Sequence, residues 1–204
     1  MTPTAARLVF AAAAYLIGAF PTGYLAVRIR TRRDIRALGS GATGATNVLR
    51  VSGWKNAVPV AAIDIFKGAI PAWLAMRLFG DPAFAALAAF LAVLGHCFPV
   101  YIGFRGGKGV AAAAGAMAAL APFAALACLG IFIAAVAAFR YVSLGSILAA
   151  IAFPGFAFLF RPERPTAAWS LPIVLLILLR HAGNIGRLRA GTEPKFGTRT
   201  RVTR

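Results

Sequence analysis

The chain has 204 residues, 60% of them hydrophobic and 13% charged. That length allows one domain, at most two. A charged share well below the usual ~25% excludes an ordinary soluble enzyme, and so much apolar content excludes a disordered chain. The formal net charge of +17 raises nucleic acid as a partner. The basic residues fall between and after long apolar runs, however, which is the pattern of membrane topology and anionic headgroups. Cys97 and Cys128 each sit in an apolar run and can build neither a disulfide scaffold nor a four-cysteine zinc site. The composition is that of an integral membrane protein.

A helix needs about 20 apolar residues to cross a bilayer. In chain order the candidate runs are Leu8–Val27, Asn56–Met76 (interrupted by Asp64 and Lys67), Ala83–Phe104, Val110–Phe139, Tyr141–Phe160 and Pro165–Leu179. None alternates as a strand would, so the expected class is all-α, a polytopic helical bundle. No cleavable signal peptide is expected, because the first run is longer than an h-region of roughly 7–15 residues.

The 30-residue run Val110–Phe139 would make a helix of about 45 Å, too long for one upright span. Pro122 divides it into a short span and a longer one. With that break there are about seven spans, one of them short, and the chain ends lie on opposite sides. The positive-inside rule favours this count with the N-terminus outside: 17 basic residues then fall on the cytoplasmic side and four outside. This parity places three polar, glycine-rich stretches on one face: Gly39–Arg50, His96–Gly109 and His181–Lys195. The whole chain, 1–204, reads as one membrane-embedded domain, with 198–204 a basic cytoplasmic tail.

The first stretch lies within DIRALGSGATGATNVLR, Asp34–Arg50. Its G-x-G-x-x-G spacing follows no strand and precedes no β-α-β unit, and Ala45 stands where a phosphate loop needs Lys, so both nucleotide readings fail. The physics of the pattern survives: glycines let successive N–H groups converge on an anion. Ser40, Thr46 and Asn47 add short donors, and Thr46 or Asn47 is expected to cap a helix beginning at Val48. The second stretch, GHCFPVYIGFRGGKGV, sets three glycines around Lys108 at a helix start, a favourable anion site, with His96 expected about two turns before the loop. In the third, RHAGNIGRLRAGTEPKFG, His181 and Asn184 share a helix face if the last span continues. Arg187 follows one turn on, and Glu193 is the tail's only acid. Asp64 and Lys67, i and i+3 inside a span, are expected to neutralise each other, as a structural pair with Lys67 near the site.

No His/Cys/Asp/Glu cluster has metal spacing, so no metal or cofactor is called for. No G-x-S-x-G elbow or Ser-His-acid order occurs. After His96 and His181 the position of an H-x-x-x-x-D acid is Tyr101 and Gly186. The site is poor in general bases and rich in anion binders, which suits a substrate that brings its own leaving group. Two rivals stand beside an enzyme: a transporter of a phosphate-bearing anion, which the lack of internal repeats disfavours, and an anionic-lipid scaffold without chemistry.

Together and in order, these stretches resemble the bacterial membrane acyl-phosphate:glycerol-3-phosphate acyltransferases, the PlsY type, over nearly the whole chain. The matching motifs are D-I-R-x-x-G-S-G-x-x-G-A-T-N-x-x-R at Asp34–Arg50, D-x-x-K-G at Asp64–Gly68, G-H-x-x-P with F-x-G-G-K-G at Gly95–Gly109, and H-x-x-N-I-x-R-L-x-x-G-x-E at His181–Glu193. The resemblance implies transfer of a fatty acyl group from acyl phosphate to glycerol 3-phosphate on the cytoplasmic side of the bacterial plasma membrane. It implies lysophosphatidic acid and phosphate as products, the first acylation of phospholipid biosynthesis, and a soluble enzyme that supplies acyl phosphate. It assigns Gly106, Gly107 and Gly109 to the glycerol-3-phosphate phosphate, with Lys108 neutralising it. Ser40, Thr46, Asn47 and Arg50 would line the acyl phosphate head, and His181 and Asn184 would position substrate. Ser40, Lys108, His181 and Asn184 form the expected catalytic set. Gly39, Gly41, Lys67, His96, Arg105, Arg187 and Glu193 complete the binding set. Two residues depart from the family's usual pattern: Ala42 stands for Asn, removing a donor, and Arg105 stands for Lys, keeping charge but changing geometry.

Overall fold

Inside a bilayer no water takes the backbone's hydrogen bonds, so spanning segments must satisfy their own, and helices do. The structure, a computed structural model, describes residues 2–160 and 164–198, and among these all regular structure is helical. The expected basic tail lies, from Arg199 onward, outside the described residues, as does the loop 161–163.

The first run does not form one helix. It breaks at Phe20–Pro21 into α1 (Pro3–Ala19) and α2 (Thr22–Thr31), because proline at the break has no N–H to donate. A short α3 (Ala45–Ser52) follows in the first polar loop, then α4 (Trp54–Phe79) and α5 (Pro82–Cys97). The long run divides as Pro122 requires, into α6 (Val110–Leu120) and α7 (Pro122–Phe139). Then come α8 (Val142–Leu159), α9 (Arg164–Arg180) and α10 (Ala182–Arg189), the last two bent by 56°. Among the described residues five segments are long and apolar enough to cross a membrane, the bent α9–α10 pair, taken as one span, makes a sixth, and α6 is a short apolar helix beside them. The all-helical, integral-membrane reading therefore stands, with the broken first span as an addition to it.

α5 is the centre of the bundle and packs against α1, α4, α6 and α9. Its buried face is largely alanine, and α6 buries Ala112, Ala113, Gly115 and Ala116. Lipid tails are as apolar as leucine, so helices in a bilayer associate through close packing of small residues rather than through expulsion of water. The α4–α6 contact is made this way. A Cβ on Gly68 would lie 1.9 Å from the Ala112 carbonyl oxygen, and one on Gly115 would lie 1.9 Å from that of Ile65. The α7 helix, by contrast, buries only Ala124, Cys128 and Ala135 and turns Phe123, Leu126 and Ile133 outward.

Gly68→Ala must separate α4 from α6 and is expected to cost about 1–3 kcal/mol, the usual penalty for overpacking. Gly130→Ala, with no atom within 4 Å of the added methyl, should be neutral or slightly stabilising, since alanine is the better helix former. Thermal unfolding of both variants in the same detergent checks the contrast. Equal melting temperatures would contradict the close α4–α6 approach.

Candidate active site

The three polar stretches meet at one end of the bundle, and each brings a different kind of constraint. In the first loop, Asp34 accepts from the Arg36 backbone N–H and pairs with its guanidinium at 2.6 Å. Arg36 Nη1 donates to the Ile102 carbonyl at 2.7 Å, which ties the first loop to the second. The segment from Leu38 to Gly44 is wrapped around one side chain. Asn47 Oδ1 accepts from Ser40 N–H at 2.9 Å, and its Nδ2 donates to the carbonyls of Leu38 and Ala42 at 3.0 and 2.9 Å. Asn47 is therefore not a helix cap. It folds back over its own loop, α3 begins at Ala45 rather than Val48, and Gly44 stands at the N-cap. Gly39 has φ +59°, and a Cβ there would lie 2.2 Å from Asn47 Oδ1, so only glycine fits. Gly41 also has positive φ. The loop presents Ser40 exposed, with its hydroxyl unengaged among the described residues, and leaves Thr46 half-buried. Arg50, in the last turn of α3, reaches across to the Pro194 carbonyl at 3.4 Å.

In the second stretch the helix ends at Cys97, so His96 lies in the last turn of α5 rather than two turns before the loop. The Gly106 N–H donates to the Cys97 carbonyl at 3.2 Å and the Gly107 N–H to that of His96 at 3.0 Å. Their own carbonyls accept from Arg180 Nη2 and Nε at 3.1 and 3.0 Å. Both sides of this dipeptide are thus committed to architecture, and its amides do not face an anion. Beyond this dipeptide, the amides from Lys108 to Ala112 have no hydrogen bond to the described residues. They open α6 behind Gly109, which is the N-cap with φ +84°. The Lys108 ammonium donates to Asn184 Oδ1 at 2.6 Å.

In the third stretch the last span does not continue straight. It bends at His181, which is the N-cap of α10. His181 Nδ1 lies 2.8 Å from the Ile177 carbonyl. A carbonyl only accepts, so Nδ1 carries the proton and Nε2 is left as the ring's acceptor. Asn184 Nδ2 donates to Glu193 Oε1 at 2.6 Å, Ser143 Oγ donates to the same oxygen at 2.8 Å, and Arg187 Nε reaches Oε2 at 2.8 Å. Glu193 is buried by these contacts. A cavity of about 190 Å³ opens beside Thr46 and Arg50, closed on its other sides by Leu49, Val142 and Phe196.

The expected residues fall into three groups. Thr46, Arg50, Lys108, His181, Asn184 and Arg187 converge, while Ser40 stands exposed on the first loop with its backbone N–H on Asn47. Asn47, Gly106, Gly107 and Glu193 hold that group in shape. Lys67 and His96 lie inside the bundle, buried, with Lys67 Nζ on Asp64 Oδ1 at 2.7 Å and on the Phe20 carbonyl at 2.9 Å. Arg105 is exposed and makes no hydrogen bond or ion pair with the described residues. Sequence reasoning missed three contributors. Arg180 reads as one more basic tail residue yet clamps the glycine turn. Ser143 is a lone hydroxyl in an apolar run. Arg36 reads as a topology charge yet bridges two loops.

Lys108 is surrounded by Arg187, Arg50 and Arg180, with Glu193 the one acid among them. Burial pushes the Lys108 ammonium down to about 8; the three guanidiniums push the same way, and Glu193 opposes them. Burial also lowers Arg50. For Glu193, burial raises the carboxyl, but hydrogen bonds from Ser143, Asn184 and Arg187 outweigh it and hold the group below its ordinary value. Four cations around one already engaged carboxylate leave an excess of positive charge and free amides, which suits a ligand with more than one negative charge.

Fold and site together define a polytopic helical membrane protein with a partly buried cationic cluster at one end of its bundle. The family model "Glycerol-3-phosphate acyltransferase" matches residues 8–191. A glycerol-3-phosphate acyltransferase of Synechococcus sp. (strain CC9605) is 45% identical over 95% of this chain and 96% of its own. One from Geobacter sulfurreducens is 43% identical over 93% of this chain and 97% of its own. The crystal structure of PlsY (YgiH), described as an integral membrane glycerol 3-phosphate acyltransferase in its glycerol 3-phosphate form, superposes with a TM-score of 0.91. It is 39% identical over 95% of this chain and 96% of that one. Its lysophosphatidic acid form gives a TM-score of 0.87 at 38% identity, with the same coverage. The chain belongs to the glycerol-3-phosphate acyltransferase family and is an acyltransferase.

The Lys108 environment makes a direct prediction. With lysines reductively ¹³C-methylated, one resonance, absent in Lys108→Met, should titrate near pH 8. In Glu193→Gln it should titrate lower still, because the carboxylate that favours the charged ammonium is gone. A Lys108 resonance at the ordinary lysine value would contradict the buried geometry.

Proposed function

We propose that this protein transfers a fatty acyl group from acyl phosphate to the first hydroxyl of glycerol 3-phosphate, releasing lysophosphatidic acid and inorganic phosphate. The observation that carries this reading is the 2.6 Å hydrogen bond from Lys108 to Asn184. It joins the glycine turn to the His181 segment inside the cationic cluster. Solved relatives described in glycerol 3-phosphate and lysophosphatidic acid forms support the acceptor and the product. The donor rests on the site's chemistry. Among the described residues the carboxylate beside Lys108 is Glu193, and both its oxygens are engaged by Ser143, Asn184 and Arg187, so a substrate that is already activated is the one the site suits.

In this mechanism the Lys108 ammonium and the free amides from Lys108 to Ala112 receive the glycerol-3-phosphate phosphate, and Gly109 shapes their approach. Ser40, Thr46 and Arg50 line the acyl phosphate head, with the cavity beside Thr46 and Arg50 next to them. His181 Nε2 accepts from the second, non-reacting glycerol hydroxyl and so orients the attacking one, and Asn184, fixed by Glu193, holds Lys108. The glycerol oxygen bonds to the acyl carbon and the carbon–oxygen bond to phosphate breaks. Phosphate departs with the bonding electrons, and the hydroxyl proton passes to a phosphate oxygen. The protein's work is orientation and neutralisation of two mutually repelling anions. Arg105, exposed at the rim, adds attraction for both.

The positive-inside count supports an outside N-terminus, a cytoplasmic C-terminus and a cytoplasm-facing site in the bacterial plasma membrane. The whole chain then acts as one acyltransferase domain, at the first acylation of phospholipid synthesis, drawing on a soluble enzyme for acyl phosphate.

Offering acyl phosphate, acyl-CoA and acyl carrier protein thioester to the purified protein in lipid, and following lysophosphatidate and phosphate, tests the donor. Product is expected from acyl phosphate alone, and turnover with a thioester would overturn it. Ser40→Ala and His181→Ala should each lower kcat by about 10²–10³-fold, the scale for loss of a positioned hydrogen-bonding group. Near-wild-type rates in both would remove these residues from the site. For pH, kcat/KM for glycerol 3-phosphate should rise to a plateau above about pH 6, where a phosphate monoester gains its second charge. It should fall again above about 8, as Lys108 loses its proton. A profile flat to pH 9.5 would exclude Lys108 as the neutralising cation.

A further inference from the structure

Asp64, Lys67 and His96 are 1%, 6% and 5% exposed, three ionisable side chains buried on α4 and α5 inside the bundle. Burying charges costs several kcal/mol per ion before pairing, and residues that carry them inside a membrane protein mark function by default. A structural pair would join two helices. Asp64 and Lys67 sit on the same helix, one turn apart, with Nζ and Oδ1 at 2.7 Å, so their mutual contact joins nothing.

The outward contacts of the group are more informative. Lys67 Nζ donates to the carbonyl of Phe20 at 2.9 Å. Phe20 is the residue at which the first span breaks, and α2 beyond it leads into the Ser40 loop. On the other side, His96 Nδ1 lies 3.7 Å from Asp64 Oδ1, and no hydrogen bond reaches that nitrogen among the described residues. The far edge of the same ring fills the place where any larger residue at Gly107 would put its side chain: a Cβ there would lie 2.0 Å from His96 Nε2. The His96 carbonyl also takes the Gly107 N–H. One end of the group therefore touches the hinge that delivers the first loop, and the other supports the turn that carries Lys108.

The geometry points to the Asp64–Lys67–His96 group as a positioning device that sets the register between the Ser40 loop and the Lys108 turn. None of the three contacts substrate. Asp64 orients Lys67 and faces His96, Lys67 pins the α1–α2 break, and His96 is the floor under Gly107. This rests on the proposed acyl transfer between two anionic substrates, because it assigns the group to the relative placement of the two half-sites. His96 governs the glycerol-3-phosphate side, Lys67 governs the acyl-phosphate side, and Asp64, which meets both, couples them.

The test is steady-state kinetics in lipid, with thermal unfolding measured on the same preparations. Asp64→Asn or Lys67→Met alone strands a buried charge, so the informative variant is the charge-balanced double, Asp64→Asn with Lys67→Met. It should fold, and KM for both glycerol 3-phosphate and acyl phosphate should rise by about tenfold, less than the ~10²-fold that a full 1 Å misplacement can cost. His96→Ala leaves the ion pair in place and should raise KM for glycerol 3-phosphate by a similar factor while leaving that for acyl phosphate within about twofold. A merely structural role lowers the melting temperature and the amount of active protein, and with it the apparent kcat, but leaves both KM values unchanged. That result overturns the inference. Should the double variant not fold, His96→Ala decides: an unchanged KM for glycerol 3-phosphate rejects the positioning role, and a selective rise supports it. Wild-type protein that makes no lysophosphatidate would instead defeat the underlying reaction, and the two failures are separate.

Discussion

Much of the arrangement depends on one buried carboxylate. Glu193 receives Ser143 at the start of α8, Asn184 within α10 and Arg187 one turn further on. Through Asn184 it also fixes the Lys108 ammonium at the head of α6. Four cations gathered in a partly desolvated space repel one another, and in such surroundings that repulsion is weakly screened. A single anion placed among them permits the gathering, and its hydrogen bonds decide where each partner points. Because both its oxygens are already hydrogen-bonded within the protein, it organises the cluster without cancelling its appetite for a phosphate.

The bundle beneath imposes a second constraint. Helices in lipid gain little from hiding apolar surface, so they hold together where backbones can touch. The alanine-rich faces of α5 and α6 provide that, and the α4–α6 crossing works because Gly68 and Gly115 have no side chain to intervene. Close packing here also explains how an 11-residue α6 belongs in the bundle. It is sheltered by α4 and α5 rather than exposed along its whole length, and the irregular backbone before it is bonded to protein at Cys97, His96 and Arg180. Non-helical chain at such a position is tolerated only under those terms.

The polar stretches divide labour in a way that residue type does not announce. Asn47 and Ser40 are both small polar residues of one loop. The first is consumed in shaping it and the second is presented outward. Gly106 and Gly107 lie beside Gly109, yet only the latter opens onto amides that remain unbonded. Hydrogen-bond capacity is finite, and a donor already paired inside the protein is not available to a ligand.

Apolar run lengths, the position of Pro122 and the placement of basic residues made the helical membrane class and the short sixth helix readable from the chain alone. Each of these is a local property set by neighbours along the sequence. The motif order by which the Lys108 turn meets Asn184 was legible along the chain. Three things were decided only in three dimensions: the break at Phe20–Pro21, the clamp of Arg180 on the glycine turn, and the burial of Asp64, Lys67 and His96 against segments distant in sequence. The reason is physical. A hydrogen bond between residues 73 apart, as between Arg180 and Gly107, or 47 apart, as between Lys67 and Phe20, leaves no periodicity behind. Such a contact exists only once packed helices have brought its two ends within 3 Å or so.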